Sequence, residues 1–520
     1  MDHHETASPG VVGIDSRYPN AGPNASIFQE LAFPSGLRVK NRLFRSNVSG
    51  QFDEYNGQGG YARVNWEESF AAGGVGAIVS SFTPVMVSGR IMIRYAMIDD
   101  DDKIPFWRLV GERVHAHDCR FLLQLSHSGR QQDNGGVENR MRRSVSSTDR
   151  PDYFHGILCR SATEAQIQEI IAAFAAGARR AREAGLDGVE LHGANGYLIT
   201  QFLSWGINDR RDRWGGSLQN RARFVLEIIK AIRAEVGPKF HLQLKINAVD
   251  HNNALFPWRK RGNGLEETVR ICKWAVEAGA DALHISSGSL FPHPRNPPGD
   301  FPLREAISYY DSMMNSGTRV RFNYKIFTTP VLGPLFRWWW NHRRGLRYDK
   351  IHEGINLEAA ATIKREVSGA PVIVTGGFQD ASVIRDAIER GKVDAVSMAR
   401  PLIANRDLPK LFEQGLDWSD LPRVEREGGV WPIRNTHRCT YCNRCLLNDL
   451  ESPLGCYDRN RYDTYEQMID QIMAVYRPDP WSHPELFPPR PEGGGGGGGG
   501  IGHGGAPKPD RTGHGEVDRG

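Results

Sequence analysis

Eight times this chain sets a short, continuous apolar run just after an amphipathic stretch, and that repetition limits its fold more than anything else in it. Behind the opening run Leu43–Asn47, the unit recurs at Ala72–Ser80, His117–Leu125, Ala184–His192, Val236–Ile246, Ala278–Ser286, Ser368–Thr375 and Gly391–Ala399. In most copies a glycine separates the two halves, because a left-handed cap ends a helix cheaply only at glycine. An unbroken apolar run is what a strand covered on both faces requires. Eight strands alternating with helices predict a (β/α)8 barrel, with an open doubly wound sheet as the rival, and in the barrel catalytic groups sit where strands end.

The units delimit the rest of the chain. Residues 1–26, rich in Pro, Gly, Asn and Ser, read as an unstructured lead-in. The barrel is expected over 27–425, interrupted before its seventh strand by an insertion at about 287–355, roughly fifty residues beyond an ordinary crossover. A cysteine-rich extension follows at 426–478. The Pro- and Gly-rich tail at 479–520 contains the run Gly493–Gly500, which has no strand and helix around it and so is not a phosphate loop. Within the insertion, Arg319–Arg347 holds seven basic residues, no acidic one, and Phe322, Tyr324, Phe327, Phe336, Trp338, Trp339 and Trp340. Such a stretch suits a membrane interface, an acyl or acidic substrate, or a partner subunit. It equally suits an excursion folded over the barrel with its aromatics buried.

Lys and Arg number 65 against 61 acids, a net +4 that argues against nucleic acid as a partner. No apolar run reaches the roughly 18 residues of a membrane span, and Met1–Gly10 lacks the basic start and apolar core of a secretory signal, so a cytoplasmic location is expected. Of seven cysteines, Cys439, Cys442, Cys445 and Cys456 fall in one short segment, which in a reducing compartment points to metal rather than disulfides. Cys119, Cys159 and Cys272 are isolated and read as packing residues. The run Asp99–Asp102 reads as a solvated loop, and Ser217 as a helix cap.

Past the fourth strand come His192, Asn195 and Tyr197. A neutral imidazole and an amide can both donate to one oxygen and so activate the carbon conjugated to it, and a phenol can then supply a proton. A satisfied core histidine beside a cap residue has the same sequence. Other strand ends add Gln124-Leu-Ser-His-Ser-Gly-Arg130, Lys245, Gly376-Gly377 and Ala399-Arg400. A glycine pair after strand seven and an arginine after strand eight form the usual phosphate site of a barrel. A glutamine and a cation opposite suit the edge of a flat heterocycle, and together these describe an FMN site. For Arg130 two roles stay open, the active site or an ion pair.

These motifs, with Leu37-Arg-Val-Lys-Asn-Arg42, Gln201-Phe-Leu-Ser204 and Asp212-Arg-Trp-Gly-Gly-Ser-Leu-Gln-Asn-Arg221, make residues 27 to 420 resemble the old yellow enzyme family of FMN-dependent ene-reductases and NADH:flavin oxidoreductases. The resemblance implies that His192 and Asn195 bind the activating oxygen of an enone or enoyl thioester, that Tyr197 donates the proton, and that NAD(P)H is the reductant. It places Ser49 and Gln124 at the flavin ring, Lys245 at its N1 and O2 edge, and Gly376, Gly377, Ala399 and Arg400 at its phosphate. Phe82 stands where relatives tend to carry a small residue. The cysteine segment resembles that of the 2,4-dienoyl-CoA reductase and trimethylamine dehydrogenase branch, with two residues rather than three between its second and third cysteines; it suits a [4Fe-4S] cluster or tetrahedral zinc. Larger relatives continue into FAD and NAD(P)H domains where this chain has its tail, so electrons are expected from NAD(P)H directly or from a separate electron-transfer protein. An amine or alcohol dehydrogenase or demethylase, and a membrane- or partner-docked electron carrier, are the alternatives to alkene reduction.

Overall fold

The computed structural model describes residues 17–132, 143–290, 293–314, 317–342, 353–417, 438–448, 453–462 and 464–477. Most of the lead-in, the end of the insertion, the junction before the cysteines and the glycine tail therefore lie outside the described residues. Eight parallel strands close on themselves: β1 Leu43–Arg45, β2 Ala77–Val79, β3 Arg120–Ser126, β4 Gly188–Gly193, β5 His241–Asn247, β6 Ala282–Ser286, β7 Val372–Thr375 and β8 Ala395–Met398. β8 pairs back onto β1 through Ser397 and Phe44, so the predicted (β/α)8 barrel is the fold and the open sheet is excluded.

One unit shows why the sequence folds this way. Helix α3, Glu164–Glu183, begins at Thr163, whose hydroxyl accepts from the Gln166 amide while the Gln166 side chain accepts in return from Thr163. Ile167, Ile170, Ile171, Phe174 and Ala178 recur at helical spacing and are buried. Gly185, with φ +78°, turns the chain into β4, all six of whose residues are buried. Burying a side chain such as Phe174 contributes about 1.5–3 kcal/mol. The other barrel helices are α1 Tyr61–Ala72, α2 Ile104–His115, α4 Leu218–Val236, α5 Leu265–Glu277, α9 Leu357–Glu366 and α10 Ala381–Glu389. Ser217 caps α4 as read, and Cys119, Cys159 and Cys272 are buried. Asp101 of the acidic run is engaged by Arg179 and Arg180.

A hairpin of Leu31–Ala32 against Arg38–Val39 closes the N-terminal end of the barrel, and its Phe33 packs on Phe44 and His241. Outside β1, Arg45 pairs with Glu67, and Arg63 bridges Glu67 and Asp53, all four fully buried or nearly so. The insertion forms helices α6 Leu303–Ser312, α7 Val320–Thr328 and α8 Leu332–Asn341, which bury Tyr310, Phe327 and Trp340 in a second core with Phe154 and Phe301. That core realises the packed-excursion reading for part of the aromatic set. Among the described residues no helix is long and apolar enough to cross a membrane.

Candidate active site

The inward positions of β3 to β6 are polar, which a barrel interior tolerates only if every group finds a partner. Glu190 Oε1 on β4 accepts from Gln124 Nε2 of β3 at 2.7 Å, and its Oε2 accepts from Gln243 Nε2 of β5 at 2.5 Å and meets His284 Nδ1 of β6 at 2.7 Å. Burial pushes the Glu190 carboxyl up, but His284, Lys245 and Gln124 outweigh it and hold it at about 2. Glu190 is therefore a fixed negative charge under the site. One level nearer the mouth, Lys245 and His192 stand side by side on β5 and β4. Lys245 Nζ donates to Ser46 Oγ at 3.2 Å and to Asn47 Oδ1 just beyond β1. Burial draws its pKa down from 10.5 to about 8 against the pull of Glu190.

Above this layer opens a cavity of about 1470 Å³ of inter-atomic space, its mouth included. His192, Asn195, Tyr197, Ser49, Lys245, Gly376, Gly377, Ala399 and Arg400 all line it. The structure thus gathers every predicted barrel residue except Gln124, which lies a layer lower against Glu190 with its Oε1 buried and unpartnered. Arg130 takes neither expected role: it donates to the Arg150 carbonyl and is not among the lining residues.

Each functional side chain has a local reason for its place. Asn195 sits at φ +62°, a left-handed turn that asparagine tolerates better than other non-glycine residues, and its backbone N–H donates to Asn247 Oδ1. That turn brings Tyr197 back over His192, the ring centroids 4.7 Å apart and edge to face. Phe82 contacts the same phenol ring at 4.9 Å and lies 6.0 Å from His192, so the three rings form one cluster. Burial pushes the Tyr197 hydroxyl well above its usual 10, so it keeps its proton, and burial first, then Lys245, holds His192 well below 6.5 and neutral. His192 Nδ1 and Asn195 Oδ1 are buried without partners. Gly376 and Gly377 follow β7 at φ +137° and +82°, and a Cβ on Gly376 would meet Asn356 Nδ2 at 2.7 Å. With Arg400 opening the short helix Arg400–Ala404 after β8, they form a cradle suited to a phosphate. The unpartnered amide and imidazole atoms, the lysine and this cradle fit FMN.

Sequence reasoning missed part of the wall: Ile91, Met92 and Tyr95, Arg295–Pro298 of the insertion, and Tyr441. Tyr441 lies between two of the cysteines. Its hydroxyl donates to the Gly377 carbonyl at 2.8 Å, and the Arg400 guanidinium stacks on its ring at 4.9 Å. Cys439, Cys442, Cys445 and Cys456 line a second, small cavity, and Arg400 and Ile403 line both. Burial first, then the charges of the other three cysteines, raises the Cys445 thiol well above 9. Four mutually felt thiols around one cavity are a donor set suited to a cluster or an ion. As it stands, however, no group of three or more His, Cys, Asp or Glu among the described residues is arranged to hold a single metal ion.

Comparison with known proteins agrees with this architecture. The chain is 36% identical over 279 residues to an NADPH dehydrogenase of Halalkalibacterium halodurans, covering 53% of this chain and 77% of that protein. It is 28% identical over 402 residues to a cinnamate reductase of Clostridium sporogenes, covering 73% and 52%. Among solved structures, a complex of 2-naphthoyl-CoA reductase superposes with a TM-score of 0.63 at 23% identity over 83% of this chain and 56% of that one, a likeness of fold. The chain spans about half the length of the longer curated relatives it matches. Residues 26–291 match the NADH:flavin oxidoreductase / NADH oxidase family. The chain belongs to that family, the old yellow enzyme family, and is an FMN-dependent oxidoreductase.

Proposed function

We propose that this chain reduces an alkene activated by a carbonyl, in an enone, an unsaturated acid or an enoyl thioester. The observation that carries the reading is the pair of unpartnered groups on His192 and Asn195 beside a protonated, ring-clamped Tyr197. FMN, when bound, supplies the hydride chemistry. Neutral His192 and the Asn195 amide, whose N and O positions can exchange, donate to the carbonyl oxygen and draw electron density from the conjugated carbons. Tyr197 Oη gives its proton to the carbon beside the carbonyl. Ser49 and Lys245 would hold the flavin ring, and the positive charge of Lys245 would favour its reduced anionic form. Gly376, Gly377, Ala399 and Arg400 would hold the phosphate, and Gln124 would support the site from the layer below through Glu190. The resemblance to a cinnamate reductase supports an unsaturated acid or its thioester.

A second reading is favoured by the shared wall between the two cavities: hydride removal from an amine or alcohol, with electrons leaving through a cluster on Cys439, Cys442, Cys445 and Cys456 to a partner protein. The domains read from sequence, a barrel to residue 425 and a separate cysteine extension from 426, belong to the same proposal. Anaerobic protein is expected to bleach with NAD(P)H and to be reoxidised by cinnamate or an enone. Turnover with an amine and a one-electron dye, without any alkene, would instead establish the second reading, and iron, sulfide and zinc counts decide what the cysteines hold.

A further inference from the structure

Helices α7 and α8 each bury one side, and α8 leaves its other side apolar. On the inner side Phe327 and Trp340 contact Phe301 at 5.2 and 5.0 Å between ring centroids. On the outer side Val331, Leu335 and Trp338 recur at i, i+4 and i+7, one stripe along the helix, and Leu332 widens it. These four are 72%, 54%, 57% and 46% exposed, and Phe322 of α7 is 64% exposed. Single exposed apolar residues are ordinary, but four on one face of a single helix mark an interaction surface.

The charges around the stripe identify what covers it. From Arg319 to His342 the chain has Arg319, Arg321, Lys325 and Arg337, all exposed, and no Asp or Glu. Arg337 is tied to Asp300, whereas Arg319 donates to a carbonyl, that of Tyr153. A second copy docking by the same patch would bring its cations against these, since a two-fold contact pairs a surface with itself. A bilayer of anionic lipid answers both features. Leucine, valine and phenylalanine enter the acyl boundary, tryptophan prefers the interfacial layer, and basic residues meet the headgroup phosphates. At nine and ten residues the two helices are too short to span, so they lie in the plane.

We propose that α7 and α8 form a peripheral docking face that seats this enzyme on an anionic membrane surface. The face stands independently of the reaction, although the same insertion supplies Tyr309 and Met313 to the wall of the catalytic cavity. The test is vesicle flotation of the full-length, flavin-loaded chain with phosphatidylcholine alone and with phosphatidylcholine mixed with phosphatidylglycerol. The chain is expected to float with the mixed vesicles and to be released by high salt. The triple variant Leu332→Ser, Leu335→Ser, Trp338→Ser should lose about tenfold or more of its partitioning while keeping its flavin, its circular dichroism and its alkene reduction. Lys325→Glu should weaken binding to the mixed vesicles alone. No flotation of the wild-type chain, equal binding to both vesicle types, or unaltered binding by the triple variant would overturn the proposal. So would a concentration-dependent dimer that the triple variant abolishes, because the patch would then belong to a second copy.

Discussion

Replacing Tyr197 with phenylalanine removes one oxygen and leaves the ring. The contacts that hold that ring, Phe82 at 4.9 Å and His192 at 4.7 Å, are face and edge contacts that phenylalanine reproduces. Loss of the hydroxyl is therefore nearly silent for folding, within roughly 0.5 kcal/mol of surface-type substitutions. The chemical cost is different in kind. A positioned proton donor contributes typically 10²–10⁴-fold, or about 3 to 5 kcal/mol of barrier. Because burial keeps the phenol protonated well above pH 10, no ionisation of Tyr197 complicates the comparison at neutral pH. Stopped-flow absorbance separates the two half-reactions: bleaching of the flavin by NAD(P)H, and its reoxidation by an enone without oxygen. The variant should bleach at close to the wild-type rate and reoxidise at least a hundredfold more slowly. Equal slowing of both steps, or reoxidation at the wild-type rate, would refute the assignment of Tyr197 as proton donor.

Two further outcomes concern stability. Lys245 has its pKa lowered from 10.5 to about 8, so between those values the unfolded chain binds more protons than the folded one; stability of the flavin-free protein should rise with pH through that window, by about 3 kcal/mol in all, and Lys245→Met should flatten the rise in urea titrations. Glu67→Gln leaves Arg45 and Arg63 buried with a neutral neighbour and is expected to cost about 3–5 kcal/mol, whereas Lys273→Ala, which breaks a half-exposed pair with Glu366, should stay within about 1 kcal/mol.

The barrel was readable because each strand announces itself locally, by a continuous apolar run after a helix stop; Leu43–Arg45 and Ala282–Ser286 fall inside the runs read from sequence. The convergence of Gly376-Gly377 and Ala399-Arg400 on the cavity was readable for a similar reason, since they carry their signal in adjacent residues. Gln124 shows where that logic stops. Its motif points to the flavin edge, but its amide is spent on Glu190, a partner 66 residues away that also binds Gln243 and His284 from still later strands. No local pattern encodes a four-strand hydrogen-bond set. The insertion divides in the same way: neighbouring positions on a helix point about 100° apart, so Trp340 is buried while Trp338 is 57% exposed, and composition alone could not tell them apart. Phe82 was visible as an oversized residue, while its use as the clamp on Tyr197 emerges only when the chain closes.

Tyr441 joins the two halves of the chemistry. It sits between Cys439 and Cys442 at φ +54°, and its carbonyl accepts from the Asp300 amide of the insertion. Its ring carries the Arg400 guanidinium, its hydroxyl holds the Gly377 carbonyl, and Asn443, two residues on at φ +58°, accepts from Arg400 Nη1. The cysteine segment therefore builds part of the Gly377–Arg400 end of the barrel, the proposed phosphate site, rather than hanging from it. Gln379, just past the glycine pair, reinforces this by exchanging hydrogen bonds with the backbone of Cys439 in both directions. Whatever the four thiols bind, a change that loosens residues 439–443 removes a support from Arg400 and from Gly377 together, so, on the proposed phosphate role of those two residues, such a variant is expected to retain less flavin on gel filtration than the wild-type chain.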